Sequence, residues 1–324
     1  MILFFLDEKD PTSIAIVEWL YSFNKPFIIV GMRRDDDFID ITKIKGNQVV
    51  LKINNTLSIN VNKISSIFFR RSGIKQRKII SSTSPDSLSN SHTEYSLALK
   101  KAKEEILDLS FKKIRTFGDK NIGRINKILT LQAAEKCGLK IPKTALLSKK
   151  EDLVTFFNEH KEVINKSFDI GYRHSDFEAS KRVVSLTKVV SRKDLENIPE
   201  NFPLTLFQEK IDKDFEIRCF YFHNNFFCTA IFSQLNKNTV IDYRNYDSEF
   251  PNRQIPISIP YILKRKISKL FKTVNINTGS VDLIVKGKEY YFLEINPVGQ
   301  FENVSFYGNW YIERTIAKFL SDEK

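Results

Sequence analysis

The stretch SVDLIVKGKEYYFLEINP, residues 280–297, decides how the rest of the chain is read. It predicts two strands joined around Gly287, since a tight hairpin turn favours glycine. Side chains alternate across a strand, and the odd positions Val281, Leu283, Val285, Tyr291, Leu293 and Ile295 are all apolar. The even face carries Asp282, Glu294 and Asn296. With a loop centred on Lys288, Asp282 lies opposite Glu294 with β-carbons about 5 Å apart, and Asn296 follows about 6.6 Å along the same face. A register one residue different sends Asp282 to the other face, so the pattern selects the odd loop. Two carboxylates this close repel unless a cation or proton lies between them, and an Asn carbonyl adds a neutral oxygen, so the set suggests magnesium. Ordinary acids on a solvent-facing strand give the same alternation. Paired carboxylates also serve acid/base work in glycosidases, although nothing else suggests a sugar cleft. Pro297 removes a backbone donor and helps end the strand.

A chain of 324 residues exceeds one ordinary core and predicts two or three subdomains with clefts between them. Its 42% hydrophobic residues and 27 phenylalanines exclude wholesale disorder. The excess of 51 Lys and Arg over 39 Asp and Glu gives +12, which fits an anionic partner, such as a nucleotide, nucleic acid or acidic peptide, and equally fits a merely lysine-rich surface. Cys137, Cys219 and Cys228 lack CxxC spacing and sit in apolar runs, which predicts neither a disulfide framework nor a zinc site and fits a reducing cytoplasm. The opening MILFFLDEKD has no basic n-region, and no stretch approaches about eighteen apolar residues, so neither a signal peptide nor a membrane span is expected.

Along the chain, MILFFL, a helical pattern over 11–23 and PFIIVGM predict an α/β opening. SSIFFRR (65–71) reads as a further strand, SSTSPDSLSNS (81–91) as an exposed loop and 93–111 as a helix. INKILTLQAAEKCGL reads as a helix stopped by Gly138 and Pro142, with a subdomain boundary near residue 118. The strands EVINKSF and VVSLTKVV form a small domain, and LTLFQEKI, EIRCFYF, a charged loop DYRNYDSEFPNRQ, a helix near 260–272, the hairpin and a terminal helix complete the chain.

From residue 115 onward the chain resembles the ATP-grasp ligases, whose signature is an Asp on one strand and Glu-x-Asn on the next. The resemblance implies a mixed α/β (α+β) ATP-grasp fold, with an N-terminal α/β domain over 1–118, a central subdomain over 119–200 and a C-terminal ATP-binding subdomain over 201–324. It implies magnesium on Asp282, Glu294 and Asn296, and ATP phosphates on Lys127 in INKILTLQAAEKCGLKIPKT and on Lys166 in EVINKSF. FQEKI is similar to the adenine hinge, implying Glu209 with the backbones of Lys210 and Ile211. DFEIRCFYF implies Glu216 on ribose and Arg218 toward the phosphates, and DYRNYD implies Arg244 on the γ-phosphate or acceptor. After Lys166 many relatives carry a glycine-rich loop, whereas SFDIGYRHSDFEASKR holds only Gly171.

FFRRSG, the DYR segment and EINPVGQFENVSFYGNWYIERTIAKFL most resemble the graspetide synthetases, microviridin-type macrocyclases of the Bacteroidetes peptide-maturase kind. That implies an enzyme joining Asp or Glu side chains of a ribosomal precursor peptide to Thr or Ser hydroxyls or Lys amines, working as a homodimer. A leader segment would dock near residues 171–190, with Arg173, Lys181 and Arg182 as candidates. The alternatives are a ligase adding free amino acids and a non-catalytic nucleotide- or nucleic-acid-binding protein. Against the last, the basic residues are dispersed, no nucleic-acid-binding motif is visible, and neither GxxxxGK with a following Ser or Thr nor GxGxxG occurs.

Overall fold

Strand β1 (Ile2–Leu6) is apolar at every position and buried throughout, so its sheet needs cover on both faces. The computed structural model describes residues 1–321 except 8–9, 32–37, 47, 55, 72–88, 121–124, 167–172, 177–180, 185–186 and 246. After β1 come α1 (Pro11–Ser22), β2 (Phe27–Val30), β3 (Ile39–Lys45), β4 (Gln48–Ile53), β5 (Leu57–Asn60), β6 (Ser66–Arg70), α2 (Ser89–Phe111) and β7 (Arg115–Phe117). Asp10 caps α1 by accepting from the Ser13 amide at 3.2 Å, and Pro11 starts the helix where no amide partner is needed. The parallel sheet runs β2-β1-β6-β7. Leu3, Phe5, Ile67 and Phe69 pack against Leu107 and Phe111 of α2 and against Ile39, Leu51 and Ile59 of the antiparallel sheet β3-β4-β5. Phe4, Phe68 and Phe117 stack on the other face.

The C-terminal helix, Ile312–Ser321, completes this first unit. It packs on α1, β6 and β7 through the stripe Ile312, Ile316, Ala317 and Leu320, and Ser66 Oγ donates to the Leu320 carbonyl at 2.6 Å. Residues 1–123 with 311–324 therefore form one compact unit and 124–310 the other. The sequence reading had grouped this helix with 201–310; an exposed parallel sheet face, rather than chain proximity, decides where an amphipathic helix goes.

Gly118 ends β7 at φ +79°, and a Cβ there would lie 2.0 Å from the Phe69 carbonyl oxygen. Gly118→Ala is expected to destabilise the first unit by about 2–4 kcal/mol, combining left-handed strain with a backbone clash. Thermal melting checks this, and an unchanged transition would refute it.

The second unit contains α3 (Lys127–Lys136), β8 (Thr144–Lys149), α4 (Lys150–Glu159), β9 (Val163–Lys166), β10 (Arg173–Asp176), β11 (Lys181–Val184), β12 (Lys188–Val189), α5 (Arg192–Asn197) and β13 (Asn201–Glu209). It continues with β14 (Phe215–Phe222), β15 (Asn225–Phe232), β16 (Arg253–Ile257), α6 (Tyr261–Thr273), β17 (Thr278–Lys286), β18 (Glu289–Asn296) and α7 (Glu302–Gly308). Strands β12-β9-β13-β8 form one antiparallel sheet, with Val163, Phe207 and Leu153 of α4 in its core. Strands β16-β15-β14-β17-β18 form a larger one. Ile217, Cys219, Val281, Leu283, Phe292 and Ile295 on one face of that sheet pack on Leu131 and Ala134 of α3 and on Leu263, Ile267 and Leu270 of α6.

Several sequence expectations are revised. The three strands of 39–60 and β8 went unrecognised, and the charged loop ends in β16 rather than continuing to Gln254. Most of the loop assigned to 81–91 lies outside the described residues, as do Ser167 and Phe168 of EVINKSF, and Ser89–Ser91 belong to α2. Cys219 and Cys228 stand opposite each other on β14 and β15 with Cα atoms 4.0 Å apart and are joined as a disulfide, contrary to the spacing argument; hairpin register brings them together. Cys137 is free and buried. Among the described residues no helix is long and apolar enough to cross a membrane.

The opening hairpin carries the most informative revision. Its turn is two residues long, with Lys286 paired to Glu289 and Gly287 at φ +59°. Leu283 consequently pairs with Phe292, not Leu293. A β-bulge then inserts Leu293, after which Asp282 faces Glu294, Val281 faces Ile295 and Ser280 faces Asn296. The expected pairing at the acids is present although the expected turn is not. Phe292, rather than Leu293, joins the core.

Candidate active site

Both sheets of the second unit contribute to one cleft. From the smaller sheet, strand alternation sends Val163 and Phe207 to the core and Ile164, Lys166 and Gln208 to the cleft. From the larger sheet come Glu216 on β14, Asp282 and Ile284 on β17, and Leu293 and Glu294 on β18. Consecutive residues of a regular strand point to opposite faces; the bulge lets Leu293 and Glu294 both line the cleft. The segment before β16 adds Val240, Ile241, Asp242, Tyr243 and Arg244.

The charges form linked pairs. Arg218 NH1 donates to both Asp282 oxygens, at 3.0 and 3.2 Å, and to the Tyr243 hydroxyl at 2.7 Å. Lys127 Nζ lies 2.6 Å from Glu294 Oε2, and Arg244 NH1 donates to Glu294 Oε1 at 3.4 Å. Asp242 holds the other edge of Arg244, accepting from Nε at 2.8 Å and NH2 at 2.7 Å, and also accepts from Thr187 Oγ1 at 3.0 Å. Glu216 is buried, paired with Lys213 and accepts from Ser233 Oγ at 3.2 Å.

These surroundings shift the titrations. Burial opposes the charge of Glu294, but Lys127, Arg244 and Lys166 together hold it down at about 2. Burial pushes Asp282 up, against the pull of Arg218. Burial also raises Glu216 and lifts the Tyr243 hydroxyl well above its ordinary range. Lys166 is lowered to about 8, first by burial and then by repulsion from Lys127. Among the described residues Lys166 has no direct ion pair; Glu294 and Asp242 favour its charge from a distance, against Lys127 and Arg244.

An ion fits this donor set. Asp282 and Glu294 stand directly opposite each other, Asp282 paired with Arg218 and Glu294 with Lys127 and Arg244. Asn296 Oδ1 accepts from the Val298 amide at 3.2 Å, which leaves a second lone pair. Two carboxylates and an amide supply only oxygen, the preference of a hard divalent cation. No cluster of three His, Cys, Asp or Glu side chains suited to a metal occurs among the described residues.

No family model and no curated protein sequence matches the chain. Solved structures match over nearly all of it. The macrocyclase MdnC bound with precursor peptide MdnA, from Microcystis aeruginosa MRC, is 22% identical, with a TM-score of 0.70 over 99% of this chain and 99% of that one. A Chryseobacterium gregarium RiPP-associated ATP-grasp ligase in complex with ADP and a leader and core peptide is 22% identical, with a TM-score of 0.73 over 99% and 96%. The ATP-grasp ligase PsnB, complexed with a phosphomimetic variant of its minimal precursor, Mg and ADP, is 14% identical, with a TM-score of 0.68 over 98% and 97%. The chain has the ATP-grasp fold.

On this ATP-grasp fold, the cleft gathers Lys166, Glu209, Lys210, Ile211, Glu216, Arg244, Asp282 and Glu294. Lys127 and Arg218 join them through Glu294 and Asp282, whereas Asn296 is not part of the cleft lining. At the end of β13, Glu209 Oε1 accepts from the Lys143 amide at 2.8 Å, and the Lys210 amide donates to the Glu162 carbonyl at 2.8 Å. The Ile211 amide makes no hydrogen bond among the described residues. Strands β10 and β11, which carry Arg173, Lys181 and Arg182, pair antiparallel; residues 171–172, 177–180 and 185–186 lie outside the described residues. Sequence reading missed Asp242, Tyr243, Lys213, Thr187 and Gln208. An acid two residues before Arg244 was the available signal for the first of these, because Asp242 is what fixes that arginine's orientation.

Proposed function

We propose that the chain is an ATP-dependent, ADP-forming ligase that closes macrocycles in a ribosomal precursor peptide. The observation carrying this reading is the convergence, in the cleft of an ATP-grasp fold, of the opposed pair Asp282 and Glu294 with Lys166, which has no direct ion pair among the described residues. Solved proteins of the same fold include a macrocyclase bound with its precursor peptide.

In this account Lys127 and Lys166 bind the phosphates, Glu209, Lys210 and Ile211 border the base, and Glu216 accepts from ribose. Asp282, Glu294 and Asn296 would hold magnesium, which supplies positive charge against the phosphates when bound. Arg218 and Arg244 stabilise charge on the transferring group and orient the substrate carboxylate. An oxygen of a peptide Asp or Glu side chain attacks the γ-phosphorus and ADP leaves, giving an acyl phosphate. A Thr or Ser hydroxyl or a Lys amine then attacks the acyl carbon, phosphate leaves with the bonding electrons, and the nucleophile's proton is released. Positioning and charge neutralisation suffice, without an enzyme nucleophile. The leader segment docks on the hairpin β10–β11, and the enzyme works as a homodimer.

The test is ADP release in the presence of the Thr/Ser- and Asp/Glu-rich peptide encoded nearest its gene. Release dependent on that peptide supports the reading. Release that depends instead on a free amino acid supports the amino-acid-adding alternative.

Lys166 gives a pH prediction. An anion beside its amine favours the charged form and raises its pKa from about 8. ADP binding at about pH 9 should therefore take up protons, and affinity should fall as pH rises through the free-state value. Calorimetry in buffers of different ionisation enthalpy checks the uptake, which should vanish in Lys166→Met. For folding the sign is opposite to that of a raised lysine: between about 8 and the ordinary 10.5 the unfolded chain holds the extra proton, so this group adds stability as pH increases across that window.

A further inference from the structure

Residues 242–244 tie the two sheets of the cleft together through three successive side chains. Tyr243 accepts from Arg218 on β14 at 2.7 Å, and Arg244 NH1 donates to Glu294 on β18 at 3.4 Å, both on the larger sheet. Asp242 reaches the other way, to Thr187, whose Oγ1 donates to it at 3.0 Å. Thr187 immediately precedes β12. The register of β12 on β9, with Lys188 opposite Asn165 and Val189 opposite Ile164, sets Thr187 level with Lys166, and both line the cleft.

Asp242 is buried, and among the described residues its carboxylate has two partners. Arg244 supplies its amide at 3.1 Å, Nε at 2.8 Å and NH2 at 2.7 Å, and Thr187 supplies its hydroxyl. Burial opposes the charge of Asp242, but Arg244 and then Thr187 hold its carboxyl well below the usual range, so the bond from Thr187 is charge-assisted. Arg244 is half-exposed on a segment with neither helix nor strand, where a long side chain keeps its rotamer freedom unless something outside the segment fixes it. The bonds between Asp242 and Arg244 are internal to the segment; they fix its shape but not its distance from Lys166. Thr187 fixes that distance.

We propose that Thr187 is a positioning residue for the transfer step: by donating to Asp242 it anchors Arg244 to the strand pair that carries Lys166, so that a cation from each sheet meets the reacting group at once. The proposal rests on the cleft being the reaction centre of an ATP-dependent ligase, and adds a residue that acts through Asp242 rather than on the reactants.

Thr187→Val keeps the shape of the side chain and removes its hydroxyl donor. The test combines steady-state ADP release with the precursor peptide, calorimetric ADP binding, melting, and hydrogen exchange of residues 240–245 in the free and ADP-bound protein. Thr187→Val should lower kcat by about tenfold, the worth of one hydrogen bond to a charged group, with KM for the peptide and ADP affinity within about threefold and the melting temperature within about 3 °C of wild type. Residues 240–245 should exchange at least about threefold faster in the variant. Thr187→Ser, which restores the donor, should bring kcat and exchange back to within about twofold of wild type. Weakened ADP binding with kcat intact would mark a direct nucleotide contact and overturn the proposal, as would wild-type exchange in Thr187→Val or a Thr187→Ser variant no better than Thr187→Val. ADP release by wild type that does not depend on the peptide would count against the macrocycle reading alone, and the exchange comparison would still decide the role of Thr187.

Discussion

Glu294→Ala should lower peptide-dependent ADP release by about a hundredfold to a thousandfold, the loss of roughly 3–4 kcal/mol of charge stabilisation in the transition state. The carboxylate is ionised throughout the working range, since the surrounding cations hold it at about 2. It carries two tasks at once. It faces Asp282 as half of the opposed acidic pair, and it separates Lys127 from Arg244, which approach it from its two oxygens. Removing it takes away a candidate magnesium ligand and leaves Lys127, Arg244 and Lys166 repelling one another. Glu294→Gln retains the shape and should fail by a similar factor, because charge rather than volume is lost. Near wild-type turnover in either variant would show that these acids do not form the reaction centre.

Lys166→Met should have the second largest effect and a distinctive signature. An amine lowered to about 8 by burial is held at a cost in the unliganded protein, with no carboxylate paired to it among the described residues. Replacing it with an apolar chain of similar length should leave thermal stability unchanged or slightly raised. Nucleotide binding should nonetheless weaken by about tenfold to a hundredfold, the worth of one charge-assisted contact to phosphate. A structural lysine would behave in the opposite way, with stability falling and ADP affinity intact. Melting curves beside calorimetric ADP titrations separate the two.

Strand alternation made the acidic side of the cleft legible in the sequence, though not Gln208 or Ile164 on the smaller sheet. Asp282 and Glu294 alternate with apolar neighbours, and the structure pairs them. The path to that pairing was not legible. A two-residue turn shifts the register by one, and the bulge at Leu293 shifts it back. Neither leaves a mark in hydrophobicity, because Phe292 and Leu293 are equally apolar and only one of them reaches the core. The bulge also explains why adjacent residues Leu293 and Glu294 serve the same cleft, which strict alternation forbids.

Other features depend on partners far away in the chain. Asp242 looked like one acid in a charged loop, and its meaning comes from gripping Arg244 on one side and Thr187 on the other. The C-terminal helix showed its amphipathic stripe in sequence, but the sheet that covers it begins more than two hundred residues earlier, as the bond from Ser66 to Leu320 records. Cys219 and Cys228 became neighbours through the register of β14 and β15.

The central claim is ATP-driven condensation between side chains of one peptide. Its most direct measurement is the intact mass of the Thr/Ser- and Asp/Glu-rich peptide encoded nearest the gene, after incubation with the enzyme, magnesium and ATP. The account predicts loss of one water mass per crosslink, matched by one ADP released, and no change without ATP or with Glu294→Ala. A gain in peptide mass, or ADP release with the peptide mass unchanged, would contradict it.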